Sequence, residues 1–173
     1  MESSTSQRGL SRWHAAALFL FVALSTAGCD QAAKHVAREV LGDGAVHALL
    51  GGFARFELTH NVGGFLSLGE QLAPALRYAL FVLGAPALIA LFLAVSFRSA
   101  LASRSAIAGL ALIAGGGLAN WLDRVLNAGA VTDFVSLGVG ALRTGIFNVA
   151  DVAILLGAGI LLLPQREAEP RDG

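Results

Sequence analysis

Two aspartates, Asp133 and Asp151, stand in otherwise apolar stretches of a 173-residue chain. Asp151 is the only charged residue between Thr144 and Gln165. A charge at the centre of a bilayer costs about 2.5–3.5 kcal/mol on insertion scales, so its presence there points to function. Asp133 lies in VTDF with apolar neighbours and no flanking charge. Two carboxylates held together cannot both ionise easily, so one keeps its proton near neutral pH. One group can then take a proton from water while the other gives one to a carbonyl oxygen or leaving amine. Peptide hydrolysis is the chemistry such a pair suits. On the residues alone, an ion or proton pathway built on the same carboxylates stays open.

Other polar residues fall at helical spacing around the pair. Asn148 precedes Asp151 by three, which places both on one helix face. If the stretch after Arg143 is helical, Asp151 sits roughly 12 Å inward from that arginine. Asn120, Asp123 and Arg124 stand at i, i+3 and i+4, and Asp123 beside Arg124 also reads as a helix-end salt bridge. Asp30 and Lys34, at i and i+4, read as an interfacial ion pair. The run GGGLA before Asn120 has no bulk, so a neighbouring helix can approach closely. The four histidines lack the paired helical spacing of a zinc protease, no serine sits in a G-x-S-x-G elbow, and no glycine-rich phosphate loop appears. No metal or cofactor is expected.

These residues need elements to hold them, and composition says which. The chain is 55% hydrophobic and 14% charged with zero net charge, against about 25% charged residues in an ordinary soluble domain. That balance excludes a basic nucleic-acid-binding surface, and a single cysteine excludes an internal disulfide scaffold. Charge-free windows at Ala15–Cys29, Tyr78–Phe97, Ser105–Leu122 and Thr144–Gln165, the last broken by Asp151, predict four transmembrane helices, the first one short. Six basic residues fall on each side, a tie under the positive-inside rule, and Arg8 with Arg12 before the first helix favours a cytoplasmic N-terminus. The expected layout is a cytoplasmic tail over 1–12, a membrane domain over 13–163 with an outer segment over 31–72, and a cytoplasmic tail over 164–173. Arg8 and Arg12, the apolar run and STAGC also resemble a cleavable lipoprotein signal. Thr26 stands where such signals usually carry Leu, and three more spans follow, so a retained helix is expected. In the outer segment, Ala54, Phe56 and Leu58 alternate with Arg55, Glu57 and Thr59, which predicts a half-buried strand. AAKHVAREVL upstream predicts a short amphipathic helix on the membrane surface.

Five stretches in order, DQAAK, NVGGFLS, GGGLANWLDR, VTDF and FNVAD, make the chain resemble the lipoprotein signal peptidases, the type II signal peptidases of bacteria, over about residues 13–163. The resemblance implies an all-α membrane fold of four transmembrane helices with a small periplasmic β-cradle. It implies an aspartyl endopeptidase of the bacterial inner membrane that removes signal peptides from prolipoproteins whose cysteine carries a diacylglyceryl group. Its partners would be those lipid-modified substrates and membrane lipids, with no nucleic acid; it would act as a monomer, and globomycin would inhibit it. By motif position, Asp133 and Asp151 match the catalytic pair, and Asp30, Lys34, Asn61, Gly63, Asn120, Asp123, Arg124 and Asn148 match substrate-binding or supporting positions. Ala33 replaces the usual Ser or Thr, and Phe65 precedes Leu66 where the aromatic normally comes one position later. A proton or ion translocator and a non-catalytic prolipoprotein-binding homologue are the competing readings.

Overall fold

The computed structural model describes residues 11–64, 68–100 and 103–164, so Phe65 and most of both tails lie outside the described residues. Helix α1 spans Arg12–Val40, α2 Pro74–Tyr78, α3 Ala85–Ala100, α4 Arg104–Leu126 and α5 Val149–Leu162. A π-helical turn over Ala79–Gly84 joins α2 to α3. Strands β1 (His47–Leu49), β2 (Ala54–Asn61), β3 (Val131–Val139) and β4 (Leu142–Arg143) form one antiparallel sheet in that order.

Three helical stretches among the described residues, Arg12–Val40, Pro74–Leu91 and Arg104–Leu126, are long and apolar enough to cross a membrane. Helix α5 is apolar but 14 residues long. At 1.5 Å per residue it reaches about 21 Å, short of the roughly 30 Å of hydrocarbon. The uncharged window from Thr144 overstated it, because absence of charge does not mark where a helix begins. Conversely, α1 is not short. It runs 29 residues through Asp30 and Lys34, and the expected surface helix AAKHVAREVL is largely its outer end. Charge makes that segment look interfacial, yet Lys34 is fully buried against Asp123 and Asn120 of α4, while His35 and Glu39 stay exposed.

The glycine run makes the bundle close-packed. Gly115, Gly116 and Gly117 follow one another at about 100° around α4 and therefore face three different helices. A Cβ on Gly115 would collide with the Ala23 carbonyl of α1. One on Gly116 would lie 2.6 Å from the Ala150 oxygen of α5, and one on Gly117 would lie 2.8 Å from Ile89 of α3.

The sheet sits at one end of this bundle. Phe56 and Leu58 of β2 face a cluster of Ala37, Leu41 and Phe134, as their alternation predicts, and Ala33 joins the same apolar contact. Strand β2 carries one extra residue between Phe56, opposite Val135, and Thr59, opposite Asp133. Strand β3 was not expected, although Val131, Val135, Leu137 and Val139 alternate along it. Its period of two turns Thr132 and Phe134 toward α1 and Asp133 toward Asn61 and Asn148.

Candidate active site

Asp133 enters the site from the sheet and Asp151 from a helix. Asp151 does not lie deep in α5: it occupies the third position of the first turn, with Asn148 as the N-cap. Asn148 Oδ1 accepts from the Asp151 backbone N–H at 2.9 Å, and Asp151 Oδ2 accepts from the Asn148 backbone N–H at 3.3 Å. This reciprocal capping box satisfies two N–H groups that the helix leaves unpaired. It also puts a carboxylate where the helix dipole favours negative charge.

Two amides tie the acids together. Asn148 Nδ2 donates to Asp133 Oδ1 at 2.6 Å and to Asn120 Oδ1 at 3.1 Å. Asn120 Nδ2 donates to Asp151 Oδ1 at 3.0 Å. Asn61 Nδ2, at the end of β2, donates to Asp133 Oδ2 at 3.0 Å. Every carboxylate oxygen of the pair therefore accepts an N–H, and neither aspartate has an ion-pair partner among the described residues. Burial, with the nearby Asp151, pushes the Asp133 carboxyl up to about 6, against the pull of the Asn61 and Asn148 amides.

A second layer locks the amides. Lys34 Nζ is fully buried and spends its three donors on Asp30 Oδ2 at 2.7 Å, Asp123 Oδ2 at 3.0 Å and Asn120 Oδ1 at 2.9 Å. Because Asn120 Oδ1 is taken by Lys34 and Asn148, its Nδ2 must point at Asp151. Asp30 Oδ1 accepts the Ala150 N–H of α5 at 2.8 Å. Asp123 also accepts from the Thr132 backbone N–H at 2.9 Å and from Arg38 and Gln31, both at 3.3 Å. The Asp30–Lys34 pair is thus an interior link and not an interfacial one.

Nor does Asp123 pair with its neighbour Arg124. That guanidinium turns away and donates to the Gly63 carbonyl at 2.6 Å and the Asn120 carbonyl at 3.3 Å. Asn61 Oδ1 accepts from the Gly63 N–H at 2.9 Å, so Asn61, Gly63 and Arg124 hold one loop against the site. The structure brings all ten residues singled out from the sequence into one network. Arg38, Gln31 and Thr132 belong to it and were missed. Arg38 continues the Asp30–Lys34 stripe by one more turn, which is the signal that could have found it.

Charge is balanced within the network. Asp30 and Asp123 face Lys34 and Arg38, which leaves Arg124, bonded to the Asn120 and Gly63 carbonyls, as the network's further cation to set against Asp133 and Asp151. Neutrality then requires that the acid pair hold one proton between them. The fold and site define a helical membrane protein carrying two amide-bridged carboxylates where its bundle meets a small sheet.

The family model for signal peptidase (SPase) II matches residues 22–165. A lipoprotein signal peptidase of Treponema pallidum is 37% identical over 121 residues, 66% of this chain, and this chain spans 63% of that relative's length. Those of Aquifex aeolicus and Azoarcus sp. are 30% and 33% identical, over 84% and 87% of this chain and 84% and 83% of their own. A bacterial membrane enzyme solved by the in meso method at 2.3 Å resolution shares the fold, with a TM-score of 0.71 at 19% identity over 90% of this chain and 88% of that one. The chain belongs to the signal peptidase II family.

Proposed function

We propose that this protein is an aspartyl endopeptidase of the bacterial inner membrane that cuts signal peptides from prolipoproteins bearing a diacylglyceryl cysteine, with Asp133 and Asp151 as the catalytic pair. The observation that carries the reading is the bridge Asp133–Asn148–Asn120–Asp151, which ties a sheet carboxylate to a helix carboxylate through neutral donors. The family to which the chain belongs, and its lipoprotein signal peptidase relatives, support the substrate class.

In this reading, water between the acids loses a proton to the ionised partner as its oxygen attacks the carbonyl preceding the lipidated cysteine. The protonated partner gives its proton to the carbonyl oxygen. Collapse breaks the C–N bond as the leaving amine takes the proton drawn from water, one hydroxyl of the tetrahedral intermediate gives its proton to the other carboxylate, and the pair is back to one shared proton. The substrate's acyl chains stay in lipid while its scissile bond needs water, so the site belongs at the membrane boundary, on the periplasmic side. Helix α5, with Leu163 and Pro164 after it, would make a short fourth span, with both tails cytoplasmic. The enzyme acts as a monomer, needs no cofactor, and is blocked by globomycin.

The test is cleavage of a diacylglyceryl-cysteine peptide by the purified chain, with and without globomycin. Asp133→Asn and Asp151→Asn should each remove cleavage by at least about 10³-fold while the protein remains folded in the membrane. Normal turnover by either variant would remove that residue from the pair, and proton or sodium flux in liposomes without cleavage would replace the reading with a transporter.

A further inference from the structure

The π-helical turn over Ala79–Gly84 inserts one residue into the Pro74–Ala100 helix and rotates everything before it by about 100° relative to α3. Such a turn frees backbone carbonyls, and one of them is used: Trp121 Nε1–H of α4 donates to the Val82 carbonyl at 2.9 Å. The adjacent Phe81 then lies over Arg124, its ring centroid 5.3 Å from the guanidinium carbon. The same ring closes on the loop beyond β2, where a Cβ on Gly64 or Gly69 would stand 3.3 or 3.5 Å from it.

Arg124 needs such a contact. Its two carbonyl partners engage the Nη atoms and its Nε–H is buried without a partner; those carbonyls belong to Asn120, which donates to Asp151, and to Gly63, whose N–H is held by Asn61, a donor to Asp133. Hydrogen bonds at one end of a planar group fix its position but leave its tilt free. An aromatic face against the plane supplies the missing restraint, and a cation–π contact strengthens when it is desolvated.

We propose that Phe81, set in register by the π turn and held there by Trp121, is a positioning residue that keeps the Arg124 guanidinium aligned with the Asp133–Asp151 pair. This rests on the proposed function. The helix insertion is then a means of aiming one side chain, and a regular α-helix through Ala79–Gly84 would carry Phe81 off the arginine.

The test is a double-mutant cycle on the full chain in lipid nanodiscs: unaltered protein, Phe81→Leu, Arg124→Lys, and both together. Cleavage of the lipidated peptide and thermal unfolding are measured on all four. Phe81→Leu should lower kcat about tenfold with KM within about twofold, and Phe81→Tyr, which keeps the ring, should restore it. The double variant should be no slower than Arg124→Lys alone, and the unfolding shifts should be similarly non-additive. Unchanged kcat in Phe81→Leu, or additive effects in the cycle, would overturn the proposal. If the unaltered protein cleaves nothing, the proposed function fails, while the unfolding cycle still reports whether Phe81 and Arg124 act together.

Discussion

Four charged side chains that pair with one another, and Arg124 beside them, decide what Asp133 and Asp151 can do. Lys34 and Arg38 offset Asp30 and Asp123, so Arg124, held on the Asn120 and Gly63 carbonyls, is the remaining cation of the network. A doubly ionised pair would leave one negative charge buried and uncompensated, at a cost of several kcal/mol. The raised carboxyl of Asp133 agrees: the folded protein keeps that proton up to about pH 6, where a free aspartate has lost it near 3.8. Because the folded-state value lies above the unfolded one, its contribution to stability is complete below 3.8 and is withdrawn as pH climbs through about 6. The hydrolytic cycle needs the same proton. On the proposed mechanism, kcat/KM should decline as pH rises through about 6, in a pH–rate profile of lipidated-peptide cleavage. A profile flat from about pH 5 to about pH 8 would place the working proton elsewhere.

At the scale of elements, the three α4 glycines set how near the acids' supports can come. Gly116→Val would press a branched side chain against the Ala150 carbonyl and Ile154, neither of which can yield without moving α5. Overpacking of this kind costs about 1–3 kcal/mol, and α5 carries both Asn148 and Asp151. A lowered unfolding temperature with loss of cleavage is expected, whereas Gly28→Ala, with nothing within 4 Å, should be neutral or stabilise by up to about 1 kcal/mol. Thermal unfolding in detergent alongside the peptide assay checks both. The glycine run was legible because missing bulk says that something comes close. Strand β2 was legible from its alternation. Strand β3 was not, because Asp133 on the face of its valines broke the apolar pattern and Gly138 and Gly140 made the segment look like loop. The start of α5 is hidden in the sequence, although N-V-A-D spells a capping box, because an acid in an uncharged window looks the same whether it lies inside a span or starts a helix. The outer end of α1 was misread because burial of Lys34 depends on Asp123 and Asn120, some ninety residues away.

For the whole molecule, the proposed four-span arrangement has an even number of crossings and would put the sheet on the face opposite the α3–α4 connection and both tails. In a Cys29→Ser background, Leu50→Cys in the exposed turn after β1 should react with a membrane-impermeant thiol reagent in intact cells. Ser105→Cys, exposed at the start of α4, should react only after permeabilisation. Labelling of both from one side would reject the four-span arrangement. The two acids arrive on separate bodies, one on a sheet and one on a helix, and the sheet is riveted to α1 and α4 through Arg38, Thr132 and Asp123. On the proposed reading, assembly order then governs when proteolysis can begin. A copy still being synthesised, with β3 undocked or α5 not yet in place, would carry isolated acids and no working protease.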